Sequence, residues 1–222
     1  TLSGEMSHGS LLNDLTEALP NCQFFNLYGS AEVTADTSAY LVQGGESIVP
    51  IGSPVANTQV YVLDEMMGVQ PIGVHGELTI GGLGLARGYL NQPGLTAQRF
   101  VPSPFGDGER LFLSGDRARY GEDGQLEISG RQDNQVKIRG FRVELGEVEA
   151  ALQAQAGVSQ AVASVQISDS GQSTLVAHWV ASQSSTSVDG EMNSNVLRTQ
   201  LSEQLPQYMV PGIVVFLSHF PL

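Results

Sequence analysis

The residue types best suited to chemistry lie in short segments that each contain a glycine. The first, NLYGSAE at residues 26–32, combines the amide of Asn26, the ring of Tyr28 and the carboxylate of Glu32. An amide can pair with the edge of a nucleobase, an aromatic ring can stack on its face, and a carboxylate oxygen suits Mg²⁺. These residues indicate a nucleotide site, while core packing of the tyrosine and a solvated glutamate are the alternative reading.

A second candidate group lies further along the chain, in LFLSGDRARY at residues 111–120 and at Arg131. Asp116 follows a glycine where the pattern predicts the end of a strand. A carboxylate there can accept two hydrogen bonds from the vicinal hydroxyls of a ribose. The alternative is an aspartate that caps the backbone of its own turn. The guanidinium of Arg131 carries planar donors that can bridge ribose oxygens and phosphate.

The basic residues are concentrated near this group in an otherwise acidic chain. The 222 residues contain 10 lysines and arginines against 23 aspartates and glutamates, which gives a formal net charge of −13. That balance argues against a nucleic-acid-binding surface, which needs clustered basic residues. Half of the basic residues nevertheless lie within 23 positions, which indicates either a local anion site or a salt-bridged surface. They are Arg117, Arg119, Arg131, Lys137 and Arg139.

The elements that must position these residues follow from hydrophobic periodicity and turn signals. Helical periods occur at residues 10–19, 144–155 and 195–205. Glycine-rich strands dominate residues 1–132, whereas residues 133–222 mix strands with helices in a compact α+β pattern. The sequence therefore predicts a mixed α/β protein with two domains that meet between residues 132 and 133.

Three further features limit the class of protein. The one cysteine, Cys22, excludes an internal disulfide framework and a multi-cysteine zinc site, and its neighbours Phe24 and Phe25 predict a buried thiol. The four histidines show no metal-ligand spacing. No apolar run reaches membrane-spanning length and no signal peptide opens the chain, so a cytoplasmic protein without a membrane partner is expected.

Five segments, in order, closely resemble the core motifs of the adenylation domains of nonribosomal peptide synthetases, which are adenylate-forming enzymes. They are NLYGSAE at 26–32, GELTIGGLGLARGYLNQPGLTAQRF at 76–100, LFLSGDRARY at 111–120, GRQDNQVKIRGFRVELGEVE at 130–149 and LPQYMVP at 205–211. The resemblance spans nearly the whole chain. It implies the C-terminal portion of such a domain, namely the rest of a large core with a sheet and a small barrel-like part, followed by a small α+β subdomain.

The resemblance also implies roles for single residues. The positions that match the family's nucleotide-binding residues are Gly4, Glu5, Asn26, Tyr28, Gly29, Asp116 and Arg131. Glu32 matches the magnesium ligand, and Arg131 and Lys137 match catalytic positions. The chain departs from the family's NxYGPTE motif at Ser30 and Ala31, and Ala31 lacks the threonine hydroxyl that meets a phosphate oxygen in the family.

Further matches concern movement and substrate choice. Asp133 matches the hinge of the small subdomain, and Lys137 and Gly140 match the loop that enters the active site for thiol transfer. The positions that match the family's side-chain pocket are Thr1, Ser3, Leu27, Ala35 and Asp36. That small, polar set resembles serine-activating pockets, and an ornithine- or lysine-like substrate is the alternative because Asp36 could pair with an amine.

The implied reaction uses ATP and Mg²⁺ to convert an amino acid into aminoacyl-AMP and then passes it to the phosphopantetheine thiol of a carrier protein. Implied partners are a condensation domain, other synthetase modules and a small accessory protein, with no nucleic acid. The family's phosphate loop and NGK lysine are expected outside this segment, so the segment alone is expected to be inactive. Another acid ligase such as an acyl-CoA synthetase, or a catalytically degenerate scaffold domain, remains open as an alternative.

Overall fold

The computed structural model describes residues 1–4, 9–133, 135–138, 140–167, 173–182 and 193–220. The chain divides into two compact units, Thr1–Asp133 and Asn134–Leu222. The division falls one residue beyond the boundary that the sequence predicts, so that Asp133 belongs to the first unit. Across the described ranges, no helix is both long enough and apolar enough to cross a membrane.

The first unit contains two helices, eight strands and one short 3-10 turn in its described part. In chain order these are α1 (Gly9–Ala18), β1 (Phe25–Tyr28), the 3-10 turn Ala31–Val33, β2 (Ser38–Leu41), β3 (Ser53–Pro54), β4 (Thr58–Leu63), β5 (Gly76–Gly82), α2 (Pro93–Arg99), β6 (Phe100–Pro102), β7 (Arg110–Tyr120) and β8 (Leu126–Arg131). Strands β1, β2 and β3 form one antiparallel sheet, and the second sheet has the order β4-β5-β7-β6 with β8 paired to β7.

One hydrophobic core joins the two sheets of this unit. Leu78 and Ile80 of β5 and Phe112 of β7 are almost fully buried, as expected for central strands whose apolar side chains alternate toward the core. Tyr28, at the end of β1, belongs to the same buried cluster. The motif that carries Tyr28 is therefore fixed against the larger sheet by packing.

The expected position of Asp116 at a strand end is wrong, because β7 continues for four residues beyond it. The preceding Gly115 has a φ of +75°, a left-handed conformation that glycine adopts without steric cost. The pairing of β5 with β7 shifts register between Glu77 and Thr79, opposite this glycine. A bulge therefore re-aims the strand without ending it, and Asp116 lies inside the sheet.

The expected burial of Cys22 is also wrong, since this cysteine is exposed. It lies before β1, and the strand begins only at Phe25. Two neighbouring phenylalanines do not bury a residue that precedes the strand, because burial depends on the sheet register and not on adjacency in sequence.

The second unit is a three-stranded sheet covered by two helices, with a separate two-stranded hairpin. Its described elements are β9 (Gln135–Ile138), β10 (Phe141–Glu144), α3 (Leu145–Gln153), β11 (Val158–Ile167), β12 (Ser173–Ala181), α4 (Ser194–Gln204), the 3-10 turn Gln207–Met209 and β13 (Ile213–Leu217). Strand β11 pairs antiparallel with β12, and β13 adds in parallel to β12. Asn193 caps α4 by accepting hydrogen bonds from two backbone amides of its first turn.

The core of the second unit provides a direct stability test. Ile138 is buried at the end of β9, whereas Ile167 at the end of β11 is 72% exposed. We expect Ile138→Ala to lower the free energy of unfolding by about 2–5 kcal/mol, through lost burial and a residual cavity. Ile167→Ala should change it by less than about 0.5 kcal/mol. The single tryptophan, Trp179, is buried in β12, so urea denaturation followed by its fluorescence reports on this unit. Equal losses in both variants would contradict the assignment of the core.

Candidate functional site

The first unit brings three of the predicted site residues together around one carboxylate. The hydroxyl of Tyr28 on β1 donates to Oδ2 of Asp116 on β7. Nη1 of Arg131, at the end of β8, donates to Oδ1 of the same carboxylate at 2.6 Å. Asp116 and Arg131 face each other because β7 and β8 pair in this register. Residues that are far apart in sequence thus converge on Asp116, as the nucleotide-site hypothesis requires.

The guanidinium of Arg131 is held on its other side by Asp133. Nε and Nη2 donate to the two oxygens of the Asp133 carboxylate at 2.7 and 2.9 Å, a bidentate pair of fixed geometry. Nη2 also donates to the carbonyl oxygen of Ser114 at 3.0 Å. Burial disfavours the charged guanidinium, but the hydrogen bonds to Asp133 and the charge of Asp116 more than offset it and raise the pKa of Arg131. Arg131 is therefore a permanent, oriented cation.

Tyr28 is a neutral donor in this group. Burial, followed by the negative charge of Asp116, raises the pKa of the Tyr28 phenol well above its usual range. Only 9% of the residue is exposed, so its ring is an apolar wall with a polar tip directed at Asp116.

The bulge before Asp116 is supported by polar contacts. The backbone amide of Gly115 donates to Oε1 of Glu77 at 2.9 Å, and the amide of Asp116 donates to the hydroxyl of Ser114 at 3.0 Å. That hydroxyl in turn donates to the carbonyl of Leu78 at 2.6 Å. Backbone groups left unpaired by the register shift thus find partners, and the Asp116 side chain is fixed in direction.

Glu32, the predicted magnesium ligand, is buried in the 3-10 turn after β1, and Oε1 accepts a hydrogen bond from the hydroxyl of Tyr89 at 2.7 Å. The sequence analysis did not single out Tyr89 and missed this contact. No local spacing could reveal it, because the two residues are 57 positions apart. The nearest signal was that both residues belong to motifs of the same family.

Asn26 and Gly29 are held in place around β1. The amide nitrogen of Asn26 donates to the carbonyl of Pro50 at 2.7 Å, and the side chain is buried. A Cβ on Gly29 would lie 1.5 Å from the carbonyl oxygen of Ala35, so only glycine fits where the backbone after β1 meets residues 34–36. Both residues are therefore rigid parts of the turn that follows Tyr28.

The predicted substrate-pocket residues fall into two groups. Leu2 pairs in parallel with Asn26, which places Thr1, Ser3 and Leu27 on one face and Asn26 on the opposite face. Ala35, with a φ of +67°, and Asp36 lie in the turn between β1 and β2, and both are exposed.

The other predicted residues are placed as follows. Gly4 has a φ of +92° and is half-buried, whereas Glu5 lies outside the described residues. Asp133 is the last residue of the first unit. Lys137 is in β9, and Gly140 is in the turn between β9 and β10 with a φ of +78°, both in the second unit. Of the five clustered basic residues, Arg119 pairs with Glu127 at 2.7 Å, and Arg139 lies outside the described residues.

Comparison with known proteins gives a consistent family. Residues 1–90 match the family model described as "AMP-binding enzyme". The chain is 44% identical over 222 residues to tyrocidine synthase 3 of Brevibacillus parabrevis, covering all of this chain and 3% of that protein. The chain spans between 3% and 9% of the length of eight curated relatives that it matches.

Two solved structures agree over 99% of this chain. The Vibrio cholerae adenylation domain AlmE, in complex with glycyl-adenosine-5'-phosphate, has a TM-score of 0.85 and 27% identity, and the match covers 41% of it. Holo-PA1221, a nonribosomal peptide synthetase protein containing adenylation and PCP domains, has a TM-score of 0.85 and 29% identity over 37% of its length. Residues 1–90 are therefore similar to AMP-binding enzymes, and the chain as a whole is similar to part of an adenylation domain of a nonribosomal peptide synthetase.

Proposed function

We propose that this chain is part of an ATP-dependent ligase that activates an amino acid as aminoacyl-AMP and passes it to a carrier-protein thiol. The observation that carries the proposal is the convergence of Tyr28 and Arg131 on the buried carboxylate of Asp116. The similarity to a synthetase and to an adenylation domain solved with an acyl-adenylate supports the same reading.

In the first half-reaction a carboxylate oxygen of the amino acid attacks the α-phosphorus of ATP, and the bond to pyrophosphate breaks. Negative charge builds on the phosphate oxygens, so the protein contributes mainly by position and electrostatics. The Asp116 carboxylate accepts from the ribose hydroxyls, and the Tyr28 ring and Asn26 amide bind the base. Arg131, oriented by Asp133, places a fixed positive charge beside the nucleotide.

The residues also fit a magnesium ion bound with the nucleotide. Mg²⁺ is commonly held by one or two carboxylates together with substrate phosphates, and Glu32 offers one such carboxylate, oriented by Tyr89. The ion would neutralise charge on the phosphate oxygens. Because Ala31 has no hydroxyl, the phosphate contact that the family makes with threonine is missing, and we expect weaker nucleotide binding than with threonine at this position.

In the second half-reaction the phosphopantetheine thiol attacks the acyl carbon, a thioester forms and AMP leaves. Asp133 would act as the hinge of the small subdomain. Lys137 would act as a catalytic residue, and together with Gly140 it would belong to the loop that enters the active site for thiol transfer. A carrier protein, a condensation domain, other synthetase modules and a small accessory protein would be the partners. The presence of adenylation and PCP domains together in PA1221 supports a carrier protein as a partner.

We further propose a small, polar amino acid such as serine as substrate, with an ornithine- or lysine-like side chain as the alternative. Thr1, Ser3 and Leu27 share one face beside β1, and a hydroxyl-lined face suits a hydroxylated side chain. An amine on the substrate would instead pair with Asp36, which is exposed in the turn after β1.

Asp116 gives the sharpest test of the proposal in the complete adenylation protein that carries this chain. We expect Asp116→Asn to reduce kcat/KM for ATP by about 10- to 100-fold in amino-acid-dependent pyrophosphate exchange, because charged hydrogen bonds to the ribose are lost. The matched variant Asp107→Asn, at an exposed aspartate of the same unit, should change it by less than twofold. Equal activity of both variants, with circular dichroism showing folded protein, would remove Asp116 from the nucleotide site.

The neutral state of Tyr28 predicts a particular dependence of stability on pH. Since the pKa of the folded-state phenol is raised, its contribution is complete below the unfolded pKa of about 10 and is lost as pH rises toward the folded value. The difference in unfolding free energy between wild type and Tyr28→Phe should be constant from about pH 7 to 9 and shrink above about pH 10. Urea titrations at each pH measure it. A difference that stays constant up to pH 11 would show that the phenol is not buried against Asp116.

A further inference from the structure

We propose that Arg99 is a positioning residue that orients Arg131 through Asp133. Arg99 is the last residue of α2, in a segment to which the sequence assigned no chemistry. The kinetic part of this inference rests on the proposed function, whereas its structural part does not.

Arg99 reaches from the end of α2 across β7. Nη1 donates to the carbonyl of Leu113 at 3.5 Å, and Nη2 donates to Oδ2 of Asp133 at 2.9 Å. The side chains of Arg99 and Asp133 are 24% and 27% exposed, so their ion pair is partly shielded from water. The contact joins α2 to the last residue of the first unit.

Asp133 is shared by two arginines. Its Oδ2 accepts from Nη2 of both Arg99 and Arg131, each at 2.9 Å, while its Oδ1 accepts from Nε of Arg131 at 2.7 Å. The carboxylate plane is therefore fixed from both sides. Because the Arg131 guanidinium is coplanar with that carboxylate in a bidentate pair, fixing one plane fixes the other. Nη1 of Arg131 is left directed at Asp116.

Gly115 shows how closely these groups meet. A Cβ at this position would lie 2.5 Å from Oδ2 of Asp133, 2.8 Å from Nη2 of Arg131 and 3.1 Å from Nη1 of Arg99. The backbone amide of Gln132 also donates to the carbonyl of Gly115 at 2.8 Å. Three charged side chains and the backbone before Asp133 therefore converge on the bulge of β7, and any side chain at Gly115 would displace the ends of these charged groups.

Within this group two arginines, Arg99 and Arg131, lie against the carboxylates of Asp116 and Asp133. Removing Arg99 takes one of these two guanidinium groups away from Asp133 and removes the contact that holds its Oδ2 toward α2. Breaking a partly buried charge pair costs more than breaking an exposed one, because the remaining charge stays desolvated. The Asp133 carboxylate would then turn with Arg131, and Nη1 would lose its fixed direction toward Asp116.

The structural test uses this 222-residue chain and amide hydrogen exchange at Gln132, whose amide reports the local tether. We expect Arg99→Gln to raise the exchange rate about tenfold and Arg99→Lys to raise it less, because lysine keeps the charge but not the planar fork. The matched control is Arg119→Gln, which removes the ion pair with Glu127 on the same sheet and should leave Gln132 unchanged. Unchanged exchange in Arg99→Gln would overturn the proposal.

The kinetic test uses the complete adenylation protein. Arg99→Gln should raise KM for ATP about tenfold and leave KM for the amino acid within twofold, and Arg99→Lys should recover most of the loss. Adding Arg99→Gln to Asp133→Asn should cost little more than Asp133→Asn alone, because Arg99 acts through the Asp133 carboxylate.

Equal increases in both KM values, or full additivity of the two substitutions, would overturn the positioning role. If the complete protein does not bind ATP in isothermal titration, the proposed function fails instead. Hydrogen exchange at Gln132 then still decides whether Arg99 tethers Asp133, so the two failures are distinguishable.

Discussion

The first unit is organised by the need to compensate one buried carboxylate. Asp116 is inside a strand, where an unpaired charge would be strongly destabilising, so its two oxygens must be matched by protein donors. Tyr28 supplies one donor from the smaller sheet and Arg131 supplies another from the neighbouring strand. The same requirement thus ties together β1, β7 and β8, and it explains why a bulge at Gly115 is tolerated there.

These two hydrogen bonds do not use the full accepting capacity of the Asp116 carboxylate. An ionised aspartate has about four lone-pair positions, and Tyr28 and Arg131 each use one. Asp116 can therefore accept two hydroxyl hydrogen bonds from a vicinal diol while it keeps both protein partners. In the proposed function, this cluster is already held in shape before the nucleotide binds. Binding then does not require the side chains to rearrange, because they are ordered when the protein folds.

Sequence alone predicted the helices α1, α3 and α4 from their periodicity, and it singled out Tyr28, Asp116 and Arg131 from residue types that suit a nucleotide. Sequence reasoning failed for features that depend on strand register or on contacts between residues far apart in the chain. Asp116 looked like a strand-end residue because a glycine precedes it, yet that glycine makes a bulge inside β7. Tyr89 and Arg99 were missed for the same reason, since their partners Glu32 and Asp133 are 57 and 34 positions away.

Register also explains how one short strand serves two ligands in the proposed reaction. Alternation along β1 places Leu27 on the face of Thr1 and Ser3, and Asn26 and Tyr28 on the opposite face. A slip of one residue would exchange the two sets, so the register must be fixed. The amide of Thr37 donates to the carbonyl of Tyr28 at 2.7 Å, and Gly29 is packed against the backbone of Ala35. The glycine turn after β1 therefore helps to fix the register of this strand, and the register keeps the proposed amino-acid face and the proposed nucleotide face on opposite sides.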